Sequence, residues 1–122
     1  METSRIKVKA SGVEYTDKLQ VYLEAKLVQI DKLVPNGASE AIYEVELGKA
    51  TNHHKSGLIY RAEINLSYGS VLHRAEATET TIIRAIDAVK EEIKTELRKG
   101  RSKKKEIARK GARVIKKIIR GG

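Results

Sequence analysis

The hydrophobic period of this chain changes twice within its first fifty residues, and that order of periods removes most topologies. Arg5 to Ala10 alternates, with Ile6, Val8 and Ala10 on one side and Lys7 and Lys9 on the other, the pattern of a half-buried strand. Gly12 punctuates it. From Asp17 to Val34 the apolar residues Leu19, Leu23, Leu27, Ile30 and Val34 return at helical spacing. Thr16 stands ahead of them as an N-cap, with Asp17 at the positive end of the helix. Leu19 in the third position rules out a capping box. Pro35-Asn36-Gly37 ends the helix. Ile42–Leu47 alternates again, with Tyr43, Val45 and Leu47 on one face. A strand, a helix and a strand in that order call for a parallel pair joined by a right-handed crossover.

Two more strands follow. In Ile59–Leu66, Tyr60, Ala62, Ile64 and Leu66 share a face; in Val71–Thr78, Val71, His73, Ala75 and Ala77 do. Lys49–Gly57 and Tyr68-Gly69-Ser70 read as hairpin loops, the second tight. Thr80 or Thr81 opens a second helix, with Ile82, Ile86, Val89, Ile93 and Leu97 as its apolar stripe. The fold class is α+β, in the order β-α-β-β-β-α. Only one face of each strand is apolar, so both helices must cover the same face of the four-stranded sheet. Lys7, Lys9, Glu44, Glu46, Arg61, Glu63, Arg74 and Glu76 decorate the open face. That mixture of signs, with no exposed aromatics, is not a base-stacking platform. Contact with nucleic acid therefore falls to the helices and the tail.

Charge divides the chain of 122 residues, a length that suits one domain. From Arg98 to Arg120 there are twelve basic residues and one acidic residue, Glu106, whereas residues 1–97 hold thirteen basic and fifteen acidic ones. A near-neutral domain, 1–100, thus precedes a basic tail, 101–122. The asymmetry points to a polyanion, either nucleic acid or an anionic membrane surface. In the tail, Lys103-Lys104-Lys105 is a pure charge run. In helical projection over 106–120, Ile107, Val114, Ile115, Ile118 and Ile119 oppose Arg109, Lys110, Arg113, Lys116, Lys117 and Arg120. Gly111 interrupts the apolar side. Such a segment folds on an RNA, on a membrane surface or against its own body, and the pattern does not rank the three. In the body, Lys18, Lys26 and Lys32 flank the first helix with Tyr22 among them, while Asp17, Glu24 and Asp31 take the opposite flank. Lys90, Lys94, Arg98 and Arg101 form a basic stripe on the second helix, interrupted by Asp87 and Glu91.

Other chemistries find no support. No apolar run reaches the length of a membrane-spanning helix. Met1-Glu2-Thr3-Ser4-Arg5 leads into no apolar signal core, which argues against secretion. The chain has no cysteine, which excludes disulfides, thiol catalysis and thiolate metal sites and fits a cytoplasmic location. His53-His54 is the only histidine pair; adjacent side chains point apart in extended chain and no third ligand lies nearby, so no metal site is expected. His73, among small apolar residues, reads as a core or edge histidine. No phosphate loop, nucleophile elbow or acid–base constellation is visible, so neither a cofactor nor an enzymatic activity is expected.

One ordered set of residues carries more. Gly12-Val13-Glu14-Tyr15-Thr16-Asp17-Lys18-Leu19, then Lys26-Leu27 through Asp31-Lys32-Leu33, Arg74-Ala75-Glu76-Ala77, and Ala85-Ile86-Asp87 continuing to Leu97-Arg98-Lys99 resemble the ribosome hibernation-promoting factor / ribosome-associated translation inhibitor family. The resemblance covers residue 5 to about residue 100. It implies the same β-α-β-β-β-α order, similar to a double-stranded-RNA-binding domain. It also implies a translation inhibitor that occupies the mRNA and tRNA channel of the small ribosomal subunit and leaves the ribosome idle. Lys26 and Lys32 match typically basic positions of the family's first helix, and Arg98 and Lys99 the basic end of its second. Glu92 and Thr95 stand where the family often has basic residues, and Gln29 replaces a frequent lysine. The rRNA-binding set expected on residues and resemblance together is Lys18, Tyr22, Lys26, Lys32, Lys90, Lys94, Arg98, Lys99, Arg101, Lys103, Lys104 and Lys105. The partner so implied is the small subunit, both rRNA and ribosomal proteins, with no small-molecule substrate. The C-terminal dimerisation domain of long family members is expected to be absent. The alternative is a basic-tailed adaptor that binds RNA or an anionic membrane surface non-specifically.

Overall fold

Alternation and helical spacing lead to the elements they imply, with shifted ends. The computed structural model describes residues 5–35, 40–51 and 58–100. Strand β1 is Ile6–Ser11, helix α1 Asp17–Asp31, and strands β2, β3 and β4 are Ile42–Thr51, Leu58–Tyr68 and Val71–Glu79. A second helix, α2, covers 82–100. The sheet order is β1-β2-β3-β4. β1 and β2 are parallel, and the other two pairings are antiparallel. The register lines up rows across the covered face. Val8, Val45, Ile64 and Ala75 form one row, and Ala10, Leu47, Ala62 and Ala77 the next.

Both helices lie on that face. Leu19, Leu23, Leu27 and Ile30 of α1 and Ala85, Ile86, Val89, Ile93 and Leu97 of α2 are buried with Tyr43, Val45, Leu47, Ala62, Ile64 and Leu66. This continuous core supplies the hydrophobic driving force of the body. Tyr43 is fully buried and its hydroxyl donates to Asp31 Oδ1 at 2.9 Å, tying the end of α1 to β2. Burial, then that hydrogen bond, raises the Tyr43 pKa.

The helix ends have local causes. Thr16 Oγ1 accepts from the Leu19 N–H at 3.2 Å, the expected cap. α1 stops at Asp31, not at Val34. Leu33 and Val34 donate to Ile30 and Asp31 at 2.9 and 3.1 Å, the tighter three-residue bonds of a terminating turn. Pro35 disfavours helical backbone at Val34, yet Leu33 and Val34 still pack on the core. Thr81, not Thr80, caps α2: its hydroxyl accepts from the Arg84 N–H at 3.1 Å.

The strands run longer than their strict alternation. β2 continues through Gly48 to Thr51, with Ala50 paired to Ile59 and Thr51 to Leu58. Lys49 to Thr51 therefore belong to the ladder, not to a loop. Tyr68 pairs with Val71 across Gly69-Ser70, and Gly69 adopts φ +61, the primed-turn geometry that a two-residue hairpin needs. Val71, expected with the apolar face, is exposed. Gly100 of α2 lies close to His73, whereas Val71 sits at the hairpin end of β4, beside Gly69-Ser70. His73 is half-buried, its Nε2 3.0 Å from the Tyr68 hydroxyl.

Candidate nucleic-acid interface

Helical spacing sets Lys18, Tyr22 and Lys26 in one row on α1 and Asp87, Lys90 and Lys94 in one row on α2. The two helices start at the same end. There Glu14, Thr16, Lys18, Leu19 and Tyr22 line a shallow cleft of about 380 Å³ with Ile82 and Ile83. Further along, the rows meet. Tyr22 donates its hydroxyl to Asp87 Oδ1 at 2.6 Å. Lys26 Nζ lies 3.6 Å from the same oxygen and 4.7 Å from the centre of the Tyr22 ring. The hydrogen bond to Asp87, with desolvation and the Asp87 charge, pushes the Tyr22 pKa up to about 12. Tyr22 is thus a neutral donor at physiological pH, and it packs between the helices.

The expected basic residues fall into three groups. Lys18, Lys32, Arg98 and Lys99 are exposed, and no acidic partner for them lies among the described residues. Lys26, Lys90 and Lys94 are covered, with side chains 20%, 12% and 19% exposed. Each of these three is paired: Lys26 with Asp87, Lys90 with Glu91 at 3.3 Å and Lys94 with Glu91 at 3.9 Å. Arg101, Lys103, Lys104 and Lys105 lie outside the described residues, as does the amphipathic stretch 106–120. Thr95 turns its hydroxyl back to the Glu91 carbonyl at 2.9 Å, and Glu92 is exposed.

Asp87 is the residue whose part sequence reasoning missed. In the sequence it only breaks a basic stripe; in the fold it joins two helices. The available signal was the Tyr22/Lys26 spacing of four, which presents a hydroxyl and an ammonium together to one acceptor. Arg84, exposed in the first turn of α2, also escaped the expected set.

The opposite face of the sheet neutralises itself. Arg61 pairs with Glu46, Glu63 and Glu76. Arg74 Nε reaches Glu63 Oε1 at 2.9 Å, and Asn65 Nδ2 donates to the same oxygen at 3.1 Å. Glu63, expected to be a solvated decoration, is only 4% exposed, because the two arginines lie against it. Burial acts to raise its pKa. The Asn65 hydrogen bond and the charges of Arg74 and Arg61 outweigh burial, so the carboxyl sits below the ordinary range.

A depressed carboxyl pKa stabilises the fold above the unfolded value of about 4.3, and that stabilisation is lost as pH falls through the folded value. Glu63→Gln should therefore cost roughly 1.5–3 kcal/mol near pH 7, the usual worth of hydrogen bonds to a charged group. The cost should shrink once the pH falls below the unfolded value. Urea midpoints of both proteins at pH 7 and pH 3 check this, and a pH-independent difference would contradict it.

Among the described residues no cluster of three or more His, Asp or Glu side chains is arranged to hold a metal. His53-His54 lies outside them. No described helix is long and apolar enough to cross a membrane.

A family model described as "Sigma 54 modulation protein / S30EA ribosomal protein" matches residues 6–105. Among solved structures, the chain is similar to the Protein Y N-terminal domain of Thermus thermophilus, with 26% identity and a TM-score of 0.64 over 76% of this chain and 93% of that one. It shares its fold with a ribosomal subunit interface protein from Coxiella burnetii, at 17% identity and a TM-score of 0.62, over 80% of this chain and 97% of that one. No curated protein matches the sequence.

Proposed function

Because this chain belongs to the sigma 54 modulation protein / S30EA ribosomal protein family, we propose that it binds the small ribosomal subunit and holds the ribosome idle by occupying the path of mRNA and tRNA. The observation that carries this reading is the family match over residues 6–105, which spans every described strand and helix. The charges left free support it: Lys18, Lys32, Arg98 and Lys99 of the helix layer are exposed with no acidic partner among the described residues, whereas Arg61 and Arg74 on the sheet's open face are paired with Glu46, Glu63 and Glu76.

The mechanism is steric. No bond is made or broken, and a folded wedge excludes other RNA from the site. Phosphate contacts by Lys18, Lys32, Arg98 and Lys99 supply affinity and are indifferent to base sequence. Tyr22 serves by packing against Lys26 and Asp87. Residues 101–122 add further basic charge to the chain, and Arg101, Lys103, Lys104 and Lys105 are its expected phosphate contacts.

An order-of-addition experiment tests the proposal. Added to purified small subunits before mRNA, the full chain should block reporter translation and co-sediment with the subunits. Added to elongating polysomes, it should do little. Equal effects in both orders would overturn occlusion. Flotation with anionic liposomes in place of co-sedimentation would favour the membrane adaptor instead.

A further inference from the structure

Asp87 of α2 faces two side chains of α1 through a single oxygen. One of its carboxylate oxygens takes the Tyr22 hydroxyl at 2.6 Å and faces the Lys26 ammonium at 3.6 Å. Lys26 is further held over the Tyr22 ring. Its stem is covered, which limits where the ammonium can go. A phosphate approaching Lys26 must either sit beside the Asp87 carboxylate, against its charge, or draw the ammonium away from it. Either route lowers the net gain from that contact.

We propose that Asp87 is a built-in counter-ion that holds Lys26 back from phosphate and so weakens the grip of the helix layer on RNA. The inference rests on the reading that this layer meets RNA. It makes Lys26 an attenuated contact, and it ranks the exposed Lys18 above it although both lie in the same row. The Glu91 carboxylate differs in kind. It pairs with Lys90 and Lys94 within one helix, and it is more exposed than Asp87. Solvent and salt therefore screen it more fully.

Titration of the full chain with poly(U), and separately with small subunits, over a range of salt tests this. Asp87→Asn should bind poly(U) roughly two- to five-fold more tightly, the scale of a partly exposed ion pair. It should also steepen the slope of log affinity against log salt by about 0.7, one further phosphate contact to a single strand. Glu91→Gln makes the same change in net charge and should do less. Equal gains would mean that net charge alone acts, and would overturn the proposal. The Asp87→Asn gain should vanish in the Lys26→Ala background, and a gain that persists there would also overturn it.

A second comparison leaves Asp87 in place and so does not depend on the folding of its variant. Lys26→Ala should weaken binding less than Lys18→Ala, and the reverse ranking would sink the idea. Tighter binding of Asp87→Asn to poly(U) without any binding to small subunits would uphold the role of Asp87 and overturn the ribosomal reading beneath it.

Discussion

Replacing Lys18, Lys32, Arg98 and Lys99 together by alanine should lower affinity for small subunits on the order of a hundredfold or more near 0.1 M salt, and flatten the salt slope by about 3. Four exposed cations are removed, each expected to neutralise one phosphate and release its counterions. None of the four has an acidic partner among the described residues, so little internal pairing offsets their loss. For the same reason the thermal midpoint should barely move, because exposed substitutions usually stay within about 0.5 kcal/mol. The Lys26/Lys90/Lys94 triple alanine chain should behave in the opposite way. Those side chains are covered and paired, and their stems pack, so stability should fall more and affinity less. Salt titrations and melting curves of both variants, side by side, check the ranking. A larger binding loss from the covered triple would place the contact surface between the helices instead of on their exposed flanks.

Leu23→Ala should cost about 2–5 kcal/mol of folding stability, a large share of what a domain of this size holds. Leu23 is fully buried in the middle of α1, against the sheet. Truncation removes its transfer free energy and leaves a cavity that the rigid row beneath can fill only in part. Two residues earlier, Val21 is 67% exposed on the outer side of the same helix. Val21→Ala should change stability by less than about 0.5 kcal/mol. Urea denaturation of the two variants measures the difference. Equal costs would mean that α1 does not present this face to the core.

What the sequence made legible, and what it hid, divides by distance along the chain. Period-two and period-3.6 patterns act locally, and each named its element: Ile6, Val8 and Ala10 for β1, and Leu19, Leu23, Leu27 and Ile30 for α1. The one-sided apolar strands also forced both helices onto one face, which is where they lie. Ends were less legible because they depend on partners. Lys49 to Thr51 look like loop until they are paired with Leu58 to Tyr60. Val34 keeps helical spacing, but Pro35 denies it helical backbone.

The site was half legible. Its basic residues can be counted in the sequence, but their accessibility cannot. Tyr22 and Asp87 are 65 residues apart, and their hydrogen bond depends on how two helices rotate against each other. Glu63 looks no different from Glu44 or Glu46 in a strand pattern. Only the convergence of Arg61, Arg74 and Asn65 from neighbouring positions encloses it.

The closed charges around Arg61 and Glu63 have a consequence for how many polymers one body can hold. A domain that is basic on both sides is divalent: it bridges strands, condenses them and precipitates with them as its concentration rises. This body spends Arg61 and Arg74 of its sheet face on its own carboxylates, which leaves Lys7 and Lys9 as the exposed cations there without an acidic partner among the described residues. If the helix layer is the RNA face, as proposed, the described body is closer to a cap than to a crosslinker. Crowding more copies of such a body onto an RNA should then coat the RNA without gathering it into aggregates.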